Sequence, residues 1–168
     1  MTRFGLRLPN HHARLLALAV SYHLSRPGSE LDPNTLSDYA HGLREVQPVI
    51  DAQLDNEAAT LELNPLQTTL LATALSSVVS ELKMYSVFDT MSGASRRPRS
   101  TARGFDERLR SLFPDVVGDP GYTSQLAEDM ALLRRELPSA RAQELIAEEQ
   151  AAAEAARRRK KWWQVWRR

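Results

Sequence analysis

From Phe4 the chain alternates, with Phe4, Leu6 and Leu8 apolar and Gly5 and Arg7 between them, a period of two that predicts a short strand ending at Pro9. The period then changes to helical. Asn10 is placed to cap a helix whose apolar positions Leu15, Leu16, Leu18, Ala19 and Tyr22 recur at helical spacing until Pro27-Gly28 stops it. Asp32-Pro33 opens a second helix with the stripe Leu36, Tyr39, Leu43 and Val46, and Pro48 is expected to kink or end it, with Val49, Ile50 and Leu54 adding one further turn. A second alternation at Leu61 and Leu63 leads through Asn64-Pro65 into the most apolar helix of the chain. It carries Leu66, Leu70, Leu71, Ala74, Leu75, Val78, Val79, Leu82 and Tyr85. That apolar surface exceeds one stripe, so this helix is expected at the centre of the core, packed on more than one side.

Residues 92–104 are rich in Ser, Gly, Pro and Arg with no apolar period, and read as a mobile loop. Phe105, Leu109 and Leu112 mark a short helix ending at Pro114. Another helix begins near Thr123 or Ser124, with the stripe Leu126, Met130, Leu133 and Leu137. Pro138-Ser139 breaks it. From Ala140 the composition is Ala, Glu, Gln and Arg, all strong helix formers, while the apolar face thins to Leu145 and Ile146. A helix with so little to bury is expected to project from the body, and Glu154 with Arg158 forms a favourable pair four residues apart on it.

The expected fold class is therefore mainly α: a compact helical bundle over residues 2–137 with a minor pair of short strands, and a projecting helix over 139–168. An internal repeat also emerges. Leu6, Leu8, Leu15, Leu16, Ala19 and Val20 align at an offset of 55 with Leu61, Leu63, Leu70, Leu71, Ala74 and Leu75, and Tyr39, Leu43 and Val46 align at an offset of 66 with Phe105, Leu109 and Leu112. Two strand-helix-helix units, 2–55 and 58–117, would follow, with the two strands pairing about a pseudo-twofold axis. Chance agreement in a Leu/Ala-rich chain is the alternative.

Composition narrows the chemistry. The chain has 168 residues, 42% of them hydrophobic, enough for one domain's core without staples. The lack of cysteine removes disulfides, thiolate catalysis and Cys-type zinc sites. The first nine residues lack the continuous apolar run of a signal peptide, and no stretch approaches the roughly 20 apolar residues that span a bilayer, so a cytoplasmic location is expected. His11 and His12 are adjacent and point about 100° apart on a helix, so they cannot share a metal in the i,i+4 manner. His41 and Glu45 do have that spacing, but a solvated ion pair accounts for it. No phosphate-cradling glycine loop, nucleophile elbow or His-Glu-x-x-His occurs. No enzyme, cofactor or metal site is expected.

Charge changes the picture most. The chain totals +1, and its last twelve residues hold seven cations and no acid, which leaves −6 on the preceding 156. The cations are Arg157, Arg158, Arg159, Lys160, Lys161, Arg167 and Arg168. They flank Trp162, Trp163 and Trp166, and on a helix Trp162, Val165 and Trp166 share one side. Indoles flanked by cations suit an anionic membrane surface, where rings enter the headgroup region and the basic side chains meet anionic lipid. The same residues could instead neutralise phosphates and stack on unpaired bases of a nucleic acid, or anchor in the groove of a partner protein or of a second copy in a homodimer. Folding back onto the acidic body is the remaining alternative. A smaller basic cluster, Arg96, Arg97, Arg99 and Arg103, could bind phosphate, although a solvated loop lying on the body's own acids explains it as well. The expected function is that of a non-enzymatic interaction or adaptor protein held peripherally at the inner face of a membrane by its C-terminal residues.

Overall fold

The computed structural model describes residues 3–31, 42–92, 100, 102–117, 119 and 121–138. The described residues form five α-helices and one two-stranded antiparallel sheet, in the order β1 (Phe4–Pro9), α1 (Asn10–Leu24), α2 (Leu43–Asp51), β2 (Ala58–Leu63), α3 (Pro65–Ser92), α4 (Phe105–Leu112) and α5 (Tyr122–Glu136). A short 3-10 helix, Pro114–Val117, follows α4. The mainly α class with a minor strand pair is as the periodicity predicts.

The two strands pair with each other. Leu6 stands opposite Leu61, its counterpart at the offset of 55, which is the register a twofold axis between the strands requires. Leu8, Ala59, Leu61 and Leu63 are buried, while Arg7, Thr60 and Glu62 are exposed, so the sheet has one core face and one solvent face.

The centre of the core belongs to α1 rather than to α3. Leu15, Leu16, Ala17, Leu18, Ala19 and Val20 are buried without interruption. The sheet and helices α2, α3, α4 and α5 all lie against α1, and the alanines among its buried residues let that many neighbours approach. The expected core of α3 is present at Leu71, Ala74, Leu75, Val78, Leu82 and Tyr85, which pack against α1 and, most extensively, α5. Leu66 departs from expectation: it is exposed.

Local expectations at Asn10, at Pro48 and for the second helix are also corrected. Asn10 does not cap α1: its amide donates instead to the carbonyls of Leu54 (2.5 Å) and Asn56 (2.7 Å), tying the turn before β2 to the helix entrance. Pro48 lies inside α2 and does not end it. The carbonyl that loses a donor to that proline is that of Arg44, an exposed residue where solvent can substitute. Asn64-Pro65 opens α3 as expected, through a reciprocal box in which Gln67 N–H donates to Asn64 Oδ1 (2.8 Å) and Asn64 N–H to Gln67 Oε1 (3.0 Å), with Pro65 at the first helical position. Helix α2 begins only at Leu43, behind an extended Gly42, so Leu43 and Val46 do not continue a helix opened at Asp32-Pro33; that proposed start, with Leu36 and Tyr39, lies outside the described residues. So does the expected projecting helix of 139–168.

Candidate functional site

The basic aromatic segment 157–168 falls outside the described residues, as do Arg96, Arg97, Arg99 and His41. Arg103 is described: it is exposed and directly precedes Gly104, whose φ of 78° starts α4 from the left-handed region that favours glycine. Glu45, the mate of His41 in the spacing considered above, is exposed on the first turn of α2.

What the described residues do bring together is a set of polar contacts that join helices. At the N-terminal end of α1, His11 Nε2 lies 3.0 Å from Asp129 Oδ2 of α5, and Gln125 donates to the other oxygen of that carboxylate at 2.9 Å. The His11 and Phe113 rings meet edge to face, with centroids 5.9 Å apart. Its neighbour His12 faces Glu136 at 3.9 Å, so the two histidines contact α5 at points about two turns apart and do not converge on one point. Arg14, one turn further along, donates to the carbonyl of Leu112 at 3.2 Å. Its Nε is buried and finds no acceptor among the described residues. Burial raises the Tyr122 phenol above its ordinary value, and the carboxylates of Asp115 and Asp129 add to the effect.

A His-Asp contact can orient an imidazole for proton transfer, but a catalytic arrangement also needs a group to be activated. Among the described residues, the side-chain hydrogen bonds and ring contacts of His11 and Asp129 reach Gln125, Phe113 and His12, none of which bears a hydroxyl or thiol. No group of three or more His, Asp or Glu arranged to hold a metal is found among the described residues. The geometry therefore clamps α1 to α5.

Further polar contacts join other elements of the fold. Glu30, its side chain 3% exposed, accepts from the backbone N–H groups of Leu43 (2.8 Å) and Arg44 (3.1 Å), so a carboxylate from beyond α1 caps the N-terminus of α2. His23 Nε2 lies 4.0 Å from the same carboxylate. Burial lowers the His23 pKa, opposed by Glu30 and reinforced by Arg26, so at neutral pH the contact is between a neutral imidazole and a carboxylate. On the α3 side, Tyr22 donates to Glu81 (3.2 Å) and Tyr85 to Asp106 (2.6 Å), and burial followed by those carboxylates pushes both phenols up. Phe105 joins the two tyrosines edge to face, at centroid distances of 5.0 and 6.0 Å. Arg108 pairs with Asp51.

A shallow depression of about 90 Å³ lies between Arg3, Val49, Glu62 and Gln67. It is well below the roughly 300 Å³ at which small-molecule pockets begin. None of these contacts was singled out by the sequence. The Asn64–Gln67 box alone had a local signal, a capping residue three positions before a glutamine, whereas the Glu30 cap joins residues separated by 32–41. Compared with protein-family models, with curated proteins and with solved structures, the chain matches none.

Proposed function

We propose that the protein is a non-enzymatic interaction protein, held at the cytoplasmic face of a membrane by residues 157–168. The observation that carries this is the segregation of charge: seven cations, three indoles and no acid in twelve residues, against −6 on the other 156. Each Lys or Arg brought to an anionic leaflet adds on the order of 1 kcal/mol, and Trp rings are at home in the headgroup region. Several such charges with three rings support reversible binding. The rest of the chain is consistent with a peripheral contact, because no described helix is long and apolar enough to cross a membrane. An acidic body also disfavours a long polyanion such as nucleic acid.

All three tryptophans of the chain lie in this segment, so indole fluorescence reports on it alone. Titration with vesicles containing anionic lipid should blue-shift the emission, and salt should weaken the effect. Replacing Trp162 and Trp166 by Ala should reduce vesicle binding, measured by co-sedimentation. Neutral vesicles should bind less. No response to anionic vesicles, together with quenching by single-stranded oligonucleotide at physiological salt, would replace the membrane by nucleic acid. No response to either would point to a protein groove.

A further inference from the structure

The two outer edges of the β1–β2 pair are not alike. In an antiparallel pair, residues that exchange both main-chain bonds alternate with residues that exchange none. Thr60 of β2 donates its N–H to Gln53 Oε1 (2.8 Å), and its carbonyl accepts from Gln53 Nε2 (3.1 Å), so its main-chain groups point away from β1. Thr60 stands opposite Arg7, and Glu62 opposite Gly5. The N–H and C=O groups of Gly5 and Arg7 therefore point away from β2, and they find no partner among the described residues. Gln53 and α2 cover β2. Strand β1 pairs with β2 and rests on α1, with no other described helix packed extensively on it.

The side chains along this edge bound what it accepts. Arg7 is exposed, and its guanidinium has no acidic partner among the described residues. Arg3, by contrast, shares the shallow depression on the β2 side with Glu45 and Glu62. Nothing lies within 4 Å of where a Cβ on Gly5 would stand, so a neighbouring strand can lay a large side chain over it. Between the two, Leu6 is partly buried on the core face. Pro9 holds the next outward position and has no N–H, which ends the open stretch.

We infer that the outer edge of β1 binds an extended acidic segment of a partner protein as a third strand. This rests on the reading of the chain as an interaction protein and names what its body takes hold of. Main-chain bonds at Gly5 and Arg7 hold the added strand, and the side chains beside them select it. Antiparallel pairing, the more stable kind per residue, sets three consecutive partner residues across Arg7, Leu6 and Gly5 in that order. A carboxylate across from Arg7, an apolar side chain against Leu6 and an aromatic ring over Gly5 satisfy all three, so the preferred segment reads acidic, apolar, aromatic. The overall acidity of the body does not oppose this. Arg7 is one strand spacing, about 5 Å, from the partner's carboxylate, whereas Glu62 is two spacings or more away, beyond the screening length at physiological salt. A second copy of β1 is disfavoured, because it brings another Arg7 and Arg3 to the same face, and charge and proline on a free edge keep like strands apart.

Titration of the full-length chain with the end-blocked peptide Thr-Val-Glu-Val-Tyr-Val-Thr, followed by amide NMR signals and hydrogen exchange, tests this without lipid. The Gly5 and Arg7 amides are expected to shift and become protected, while that of Thr60, already held by Gln53, changes little. Methylating the peptide nitrogens of Glu and Tyr, which face β1, should weaken binding at least about tenfold. Methylating the Val between them, whose N–H faces outward, should not. Replacing the peptide's Glu by Lys should weaken binding about twofold to fivefold, and Arg7→Glu should invert the order of the two peptides, with circular dichroism showing that this variant keeps its fold. Unchanged Gly5 and Arg7 signals at millimolar peptide overturn the inference. Equal tolerance of methylation at all three nitrogens does so too, because the peptide is then not paired as a strand. Protection of the Gly5 and Arg7 amides in the free chain also overturns it, in favour of a second copy if it grows with protein concentration and of another part of the chain if it does not. An Arg7→Glu chain with unchanged preference overturns the acidic partner. Since the mixture contains no vesicles, failure here is distinct from failure of the membrane proposal.

Discussion

Glu30 caps a helix it does not belong to, and Gly42 is what lets it do so. The backbone of Gly42 is ordinary, with φ −82°, yet a Cβ there would collide with the Glu30 carboxylate. Glycine is required at this position for space and not for conformation. Gly42→Ala should therefore displace the carboxylate from the N–H groups of Leu43 and Arg44, and Glu30→Ala should remove it, each costing about 1–2 kcal/mol in urea unfolding. Because both act on the same contact, the double variant should cost clearly less than the sum of the two. Additive costs would mean that Gly42 matters for some other reason. Contacts of this kind were not legible in the sequence. Glu30 to Leu43, His11 to Asp129 and Asn10 to Leu54 each join residues far apart in the chain, and a polar side chain with a distant partner looks like any surface residue until the fold brings the partner to it.

Elements were more legible than contacts, because hydrophobic periodicity is a property of a dozen residues and survives local irregularity. β1, α1, β2, α3, α4 and α5 lie close to where their patterns place them. Periodicity does not give the hierarchy of the helices. Helix α3 has the larger count of apolar residues, but α1 is buried on all sides, since Ala13, Ala17 and Ala19 complete what the leucine stripe begins. Apolar residues on α3 serve two surfaces, one packed on α1 and α5 and one facing solvent, and composition cannot divide them. Substitution can. Leu75 is fully buried and Leu66 is 40% exposed, so Leu75→Ala should cost about 2–5 kcal/mol while Leu66→Ala stays within about 0.5 kcal/mol. Equal costs at the two positions would mean that Leu66 is packed and not exposed.

At the scale of the whole molecule, the feature most visible in the sequence, the separation of a basic aromatic end from an acidic body, is the one the described fold leaves open. The described residues close a core of their own. It runs from Leu8 to Leu137, with Leu126, Met130 and Leu133 seating α5 against it. The sequence beyond Pro138 offers that core little before Trp162. A chain ending at Pro138 should consequently unfold cooperatively, with a melting temperature within a few degrees of the full-length protein. A drop of more than about 10 °C, equivalent to roughly 2 kcal/mol or more for a domain of this size, would mean that the removed residues dock on the body. The same truncation tests the membrane proposal on a folded body. It takes away all seven cations and three indoles of the basic end, so vesicle binding should disappear, and binding that persisted would put the lipid contact on the residues before 139 and overturn the proposal.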